Sequence, residues 1–271
     1  MPPTILDTIL ETKREEVARL RDRIDEGRLR RQVADAPAPR NFYAAMTARS
    51  RGELNLIAEI KRASPSAGVI RERFDPVDLA RRCEAGGANA ISVLTDQTYF
   101  KGHLDYLAAV KGCVALPVLR KDFIIDPIQV YESRAAGADA ILLIAAALPV
   151  GVLTDLMILA AELKMTSLVE VHDADELLTV RSMVGFPHRR RALLGINNRD
   201  LASFEVDIAT TLRLAELAEP AAPIISESGI RTRDDVRTLR RAGVSGILVG
   251  ETIMRCGDIA GGIEALVGPA R

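Results

Sequence analysis

From residue 53 onward, short apolar runs rich in Ile, Val and Leu alternate with stretches whose apolar positions recur every three or four residues. The runs predict strands near 54–60, 90–94, 117–121, 139–144, 166–170, 192–197, 223–227 and 246–250, with amphipathic helices between them. Eight βα units in succession imply the α/β class and a closed parallel barrel, the (β/α)8 TIM barrel. A doubly wound open sheet is the alternative, but the glycine-rich dinucleotide loop expected after its first strand is missing. The start of the chain follows another pattern. Ile5, Leu6, Ile9, Leu10, Val17, Leu20 and Ile24 recur at helical spacing behind a capping Thr4. Ala36-Pro37-Ala38-Pro39 breaks that helix, and 42–46 forms another before the first strand. Residues 1–50 therefore read as a helical N-terminal extension of one barrel domain spanning 1–271. The extension either covers the underside of the barrel or helps to close its active end.

A weak internal repeat supports the strand count. Ala-Gly-Gly-Ala-Asn-Ala-Ile at 85–91, Ala-Ala-Gly-Ala-Asp-Ala-Ile at 135–141 and Arg-Ala-Gly-Val-Ser-Gly-Ile at 241–247 each end a helix with glycine and enter a strand. Gly87, Gly137 and Gly243 lie 50 and 106 residues apart, which matches two and four units of about 25 residues. The repeat thus marks the second, fourth and eighth strands.

Barrel enzymes assemble their sites at the C-terminal ends of strands, so ionisable residues that close an apolar run are the informative ones. The first strand reads Leu54-Asn-Leu-Ile-Ala-Glu-Ile-Lys61, and alternation puts Glu59 and Lys61 on one face. Leu119-Arg-Lys-Asp-Phe123, Leu168-Val-Glu-Val171 and Leu194-Gly-Ile-Asn-Asn-Arg-Asp-Leu201 add Lys121, Glu170, Asn197 and Arg199 to the same prospective pocket. Any one of these alone reads equally well as a rim charge or a structural salt bridge. Several at successive strand ends do not. An acid and a base held close in a desolvated mouth acquire altered proton affinities, which suits them to proton transfer.

The last two units carry a different signal. Ser226-Glu-Ser-Gly-Ile230 precedes a helix, and Leu248-Val-Gly-Glu-Thr252 ends the eighth strand at what reads as a short helix. Barrels often bind phosphate after strands seven and eight, and Gly229 and Gly250 let the backbone approach an anion, although ordinary turns use glycine too. Ser64-Pro-Ser-Ala-Gly68 reads as a loop over the site or as a plain turn. His103, His172 and His188 have neither metal-ligand spacing nor a partnered nucleophile, and are assigned to helix ends or the surface. Arg189-Arg190-Arg191 is a solvated lead-in to the sixth strand. Phe100 and Phe123, just beyond strands two and three, serve as core packing or as walls for an aromatic substrate.

Composition narrows the function classes. A 271-residue chain that is 48% hydrophobic can bury a full core. Its 36 basic and 37 acidic residues are interspersed, which gives no support to nucleic-acid or membrane-surface partners and favours a small neutral or anionic ligand. Cys83, Cys113 and Cys256 are odd in number and far apart, arguing against a disulfide framework and a zinc site and for a reducing cytoplasm. Asp7, Glu11, Lys13 and Arg14 interrupt any export signal, and the run 140–148 is too short to anchor the chain.

Taken together, Glu59-Ile-Lys-Arg-Ala-Ser-Pro-Ser66, Leu119-Arg-Lys-Asp-Phe-Ile124, Leu168-Val-Glu-Val-His172, Gly195-Ile-Asn-Asn-Arg-Asp-Leu201 and Ser226-Glu-Ser-Gly-Ile230 resemble the indole-3-glycerol-phosphate synthase family. The resemblance implies a lyase of tryptophan biosynthesis. Its substrate joins anthranilate to a deoxyribulose phosphate, and its reaction closes the pyrrole ring with loss of carbon dioxide and water. It implies no cofactor and no metal, and a phosphorylated small-molecule substrate; a monomer is compatible, but the sequence does not set the oligomeric state. Carried onto matching positions, it makes Lys121 the general acid at the sugar carbonyl, and Glu170 a base or a counter-charge for the anilino nitrogen. Lys61 contacts a substrate anion or supplies the acid for dehydration. Glu59 and Asn197 orient hydroxyls and lysines, and Arg199 and Ser64 hold polar groups. Ser228, Gly229, Gly250 and Glu251, the last through its N–H, take the phosphate. Phe100, Phe123 and Leu142 line the anthranilate pocket, with the neighbouring leucine an alternative to Leu142. Ala67 and Ile128 depart from the family pattern, where a basic and an aromatic residue are frequent. Two rivals remain: a sibling phosphoribosyl isomerase, expected to carry cysteine at the first strand's end, and a non-catalytic phosphate-binding barrel, expected to have lost an acid or base.

Overall fold

The structure, a computed structural model, describes residues 4–50, 52–182, 191–200, 204–219 and 222–269. His188, Arg189, Arg190 and Leu201 lie outside them. The extension is two helices before the Pro-containing break rather than one. Thr4 and Asp7 cap each other reciprocally to start α1 (Ile5–Arg23). Asp25 then accepts from the Arg28 N–H to start α2 (Glu26–Asp35). Asn41 caps the short α3 (Phe42–Thr47) in the same way.

From there strand and helix alternate: β1 (Asn55–Ile60), a two-stranded hairpin of β2 (Ala63–Ser64) and β3 (Gly68–Val69), α4 (Pro76–Ala85), β4 (Ala90–Leu94), α5 (Leu104–Cys113), β5 (Val118–Lys121), α6 (Pro127–Ala135) and β6 (Ala140–Ile144). They continue with α7 (Val150–Glu162), β7 (Thr166–Val171), α8 (Ala174–Arg181), β8 (Ala192–Asn197), α9 (Ala209–Ala215), β9 (Ile224–Glu227), α10 (Arg233–Arg241), β10 (Gly246–Val249), α11 (Glu251–Met254) and α12 (Ile259–Val267). β1 and β4 to β10 close into a barrel in which each neighbouring pair is parallel. The (β/α)8 barrel read from the apolar runs is therefore the observed fold, with strand ends within two residues of those predicted. Ser64-Pro-Ser-Ala-Gly68 is the turn of the hairpin. The repeated glycines have their physical reason in φ values of 92°, 92° and 82° at Gly87, Gly137 and Gly243, a left-handed exit from each helix that a side chain disfavours.

Side-chain alternation sorts the strands into two layers. Ile57, Ala90, Leu119, Ala140, Leu142, Leu168, Leu193, Ile225 and Leu248 pack together inside the barrel with Phe42 and Met46 of α3. Their neighbours in sequence, such as Leu56, Ile91, Val118, Leu143, Val169 and Ile247, belong to the outer cluster under the helices. Asn55 donates its amide to the carbonyls of Met46 and Ala48, which fixes α3 across the strands' N-terminal end. α1 takes the opposite end: Ile5, Leu6 and Ile9 line the cavity at the mouth. The two proposed places for the extension are thus both filled, by different helices. Lys13, only 3% exposed, anchors α1 there through Asp96 at 3.0 Å and Asp122 at 2.9 Å. A buried ion pair of this kind specifies one docking geometry more than it adds stability. Ile128, where the family pattern prefers an aromatic, packs with Val17 and Leu29 to hold α1 and α2 on α6. Among the described residues no helix is long and apolar enough to cross a membrane.

Candidate active site

The inward layer changes character toward the strand C-termini. Two residues beyond Ile57 stands Glu59, with Lys61 two further on; beyond Leu119 stands Lys121, beyond Leu168 Glu170, and beyond Ile225 Glu227. Asn197 follows Leu193 and Gly195 on β8 with the same parity. All of these line one cavity of about 490 Å³, together with Ser64, Phe100, Phe123, Leu142, Arg199, Ser228, Gly229, Gly250 and Glu251. Each residue predicted for the site is thus brought to one place. Leu142 rather than Leu143 faces it, because Leu143 lies in the outer cluster.

Lys121 sits at the centre, its Nζ donating to Glu170 Oε2 at 3.2 Å and Glu227 Oε2 at 3.1 Å. Burial works to strip its proton, but the charges of Glu170, Glu227 and Glu59 outweigh it and hold the ammonium well above the usual lysine range. Burial likewise favours the neutral form of Glu170, and Lys121, His172 and the Asn197 amide reverse this, keeping it ionised. Glu227 has less help. Burial and the negative charge of Glu170 prevail over Lys121 and raise its proton affinity, and its Oε1 has no hydrogen-bond partner. The two glutamates are thereby differentiated, one ionised and one disposed to carry a proton. Beside them Lys61 pairs with Glu59 at 2.6 Å.

Two glycines make room for these carboxylates. A Cβ on Gly195 would stand 2.5 Å from Glu227 Oε1, and one on Gly250 would collide with the Glu59 carboxylate. Ser228 and Gly229 occupy the left-handed region at φ 64° and 76°, a conformation that costs a serine roughly 1–2 kcal/mol. Asn198 holds the turn by donating to the Ser228 carbonyl at 3.0 Å. On the other side of the mouth the Phe100 and Phe123 ring centroids are 6.1 Å apart. Asp96 fixes the first by accepting from its N–H, and Asp122 fixes the second in the same manner. Arg199 donates from its backbone to Asn197 Oδ1 and from its guanidinium to the Phe204 carbonyl.

Two site residues escaped the sequence. Glu227 lay within a quoted motif but was read only as part of a phosphate turn; its two-residue spacing from Ile225 was the available signal. His172 was assigned to a helix end or the surface; it does stand at the start of α8, but the surface reading is corrected. Its side chain is 9% exposed, with Nε2 3.2 Å from Glu170 Oε1 and Nδ1 3.2 Å from Glu176 Oε2. His103, by contrast, does cap α5. Among the described residues no group of three or more His, Cys, Asp or Glu is placed to hold a metal ion.

Burial opposes the charge on His172, but Glu170 and Glu176 lift its pKa to about 10 from an ordinary 6.5. The folded state therefore binds more protons than the unfolded state between these values. His172 contributes stability fully below pH 6.5 and loses it as pH rises through 10. Urea midpoints for wild type should fall over that interval more steeply than those for His172→Asn; parallel curves would show that the ring carries no extra proton.

Comparison with known proteins adds an independent line. The family model for indole-3-glycerol phosphate synthase matches residues 6–266. An indole-3-glycerol phosphate synthase from Acidithiobacillus ferrooxidans is 50% identical over 252 residues, covering 93% of this chain and 94% of that protein. The protein of the same name from Halalkalibacterium halodurans is 46% identical over 264 residues, covering 97% of each. A 3-hexulose-6-phosphate synthase structure from Salmonella typhimurium aligns with a TM-score of 0.62 over 79% of this chain and 97% of its own, at 17% identity, a likeness of fold alone.

Proposed function

The chain belongs to the indole-3-glycerol phosphate synthase family, carboxy-lyases of tryptophan biosynthesis, and from that premise we propose how its barrel mouth works. The substrate is 1-(2-carboxyphenylamino)-1-deoxyribulose 5-phosphate, and the product is indole-3-glycerol phosphate, with carbon dioxide and water released. The observation that carries this reading is Lys121, a half-buried ammonium between Glu170 and Glu227 at the end of β5. Ring closure needs a proton donor at a carbonyl and a negative charge near the nitrogen that becomes cationic, both fixed in advance and shielded from water.

In this reading Lys121 protonates the sugar carbonyl as the ring carbon attacks it, and Glu170 either offsets the charge on the anilino nitrogen or accepts its proton. Loss of carbon dioxide restores the aromatic ring. Lys61, oriented by Glu59, binds the substrate's anionic group or protonates the departing hydroxyl. Asn197 orients Glu170 and the substrate hydroxyls. The phosphate lies on the backbone of Ser228-Gly229 and Gly250-Glu251, with Arg199 and Ser64 holding polar groups, and Phe100, Phe123 and Leu142 enclose the aromatic ring. Proton transfers by these side chains suffice for each step without a cofactor. The enzyme works as one barrel domain in the cytoplasm.

The chain contains no Trp, so indole emission can be followed against a low background. Mixing protein and substrate in chelator-treated buffer should produce rising indole fluorescence with one carbon dioxide released per indole. Substrate binding without emission would identify a non-catalytic binder instead. Arg199→Ala should raise KM by roughly tenfold and change kcat little, as expected for a contact made equally in ground and transition states. An unchanged KM would remove Arg199 from the binding set.

A further inference from the structure

The chemistry just described takes up a proton. When the ring-to-carboxylate bond breaks, its electron pair stays with the ring and carbon dioxide leaves neutral. One oxygen receives two protons, the first as the carbonyl becomes hydroxyl and the second as that hydroxyl departs as water. One proton returns from the adjacent carbon to a base. The balance is one proton drawn from solvent per turnover, needed while the substrate itself fills the mouth.

The end of β7 offers a second route to solvent. Lys121 Nζ is 3.2 Å from Glu170 Oε2, Glu170 Oε1 is 3.2 Å from His172 Nε2, and His172 Nδ1 is 3.2 Å from Glu176 Oε2. From Glu170 outward exposure rises, the Glu170, His172 and Glu176 side chains being 3%, 9% and 20% accessible. Glu176 is held in the first turn of α8. Its N–H donates to Asp173, and its carboxylate accepts the His172 backbone N–H at 2.8 Å. His172 Nε2 is buried without an aligned hydrogen bond, although Glu170 is within reach, so a small rotation of the ring separates the resting contact from a transferring one. We propose that His172 and Glu176 relay protons from solvent to Glu170 and Lys121 while substrate occupies the mouth. Imidazole suits this place because it accepts a proton at one nitrogen as it releases one from the other. Both residues act through Glu170 and are positioning residues for its proton. The inference rests on the proposed reaction, since only that reaction consumes the proton.

The experiment compares wild type, His172→Ala, His172→Asn and Glu176→Gln in steady state, in light and heavy water, with and without imidazole. A relay predicts that kcat falls roughly tenfold in each variant while KM stays within about twofold. The solvent isotope effect on kcat should rise above wild type, and added imidazole should restore turnover of His172→Ala in a saturable way. His172→Asn preserves a polar brace against Glu170 yet has no second nitrogen to pass a proton, so it should be as slow as the alanine variant. A wild-type kcat and isotope effect in His172→Asn, or an alanine variant indifferent to imidazole, would overturn the relay. If His172→Ala does not fold, the asparagine and Glu176→Gln variants decide by the isotope effect. Absence of turnover in wild type removes the reaction and the relay together, whereas active wild type with unresponsive variants removes the relay alone.

Discussion

Lys121→Ala is expected to lower kcat by roughly 10³-fold or more while leaving substrate bound, because it removes both the general acid and the positive charge between two carboxylates. The fold should tolerate the change. Burial and Glu170 already dispose Glu227 toward its protonated form, so the two carboxylates left without Lys121 can share a proton rather than repel each other across a dry site. Lys121→Arg should fail to rescue, since a guanidinium holds the charge but does not release its proton near neutral pH. Indole emission and thermal denaturation measured on the same preparations separate the two outcomes. Wild-type turnover in a folded Lys121→Ala enzyme would remove this lysine from the chemistry.

Glu170→Gln carries the second largest expected effect, a fall in kcat of about 10²-fold with KM changed only a few-fold. The amide keeps the volume of the side chain and can still accept from Lys121. It therefore leaves the mouth's shape intact while deleting the negative charge that faces Lys121 and His172. The cost falls on the transition state, where positive charge develops on the nitrogen, rather than on the resting complex. A variant that raised KM and spared kcat would make Glu170 a substrate-binding contact instead.

Much of this could be read before the fold was seen because a strand buried on both faces still obeys a two-residue period. Once Ile57, Leu119 and Leu168 are taken as inward, Glu59, Lys121 and Glu170 must follow them, and the glycine-ended helices fix where β4, β6 and β10 begin. The same period settles Leu142 against Leu143. What could not be read was proximity across the barrel. That Glu227 shares Lys121 with Glu170 depends on closure of the sheet, and that His172 turns back to Glu170 depends on Glu176 holding its backbone at the start of α8. The place of α1 was ambiguous for a related reason. Its apolar stripe shows only that it packs; Lys13, which ties it to the mouth through Asp96 and Asp122, looks in sequence like one more charge on an exposed helix.

The most direct measurement is a crystal structure with the substrate's reduced analogue, in which an alcohol replaces the sugar carbonyl and the reaction cannot start. The account predicts that alcohol oxygen within about 3.2 Å of Lys121 Nζ, the reach of a proton donor, with the aromatic ring against Phe100 and Phe123 and the phosphate on the Ser228-Gly229 and Gly250-Glu251 backbone. A reversed analogue, its phosphate on the phenylalanine side or its oxygen out of reach of Lys121, would contradict it.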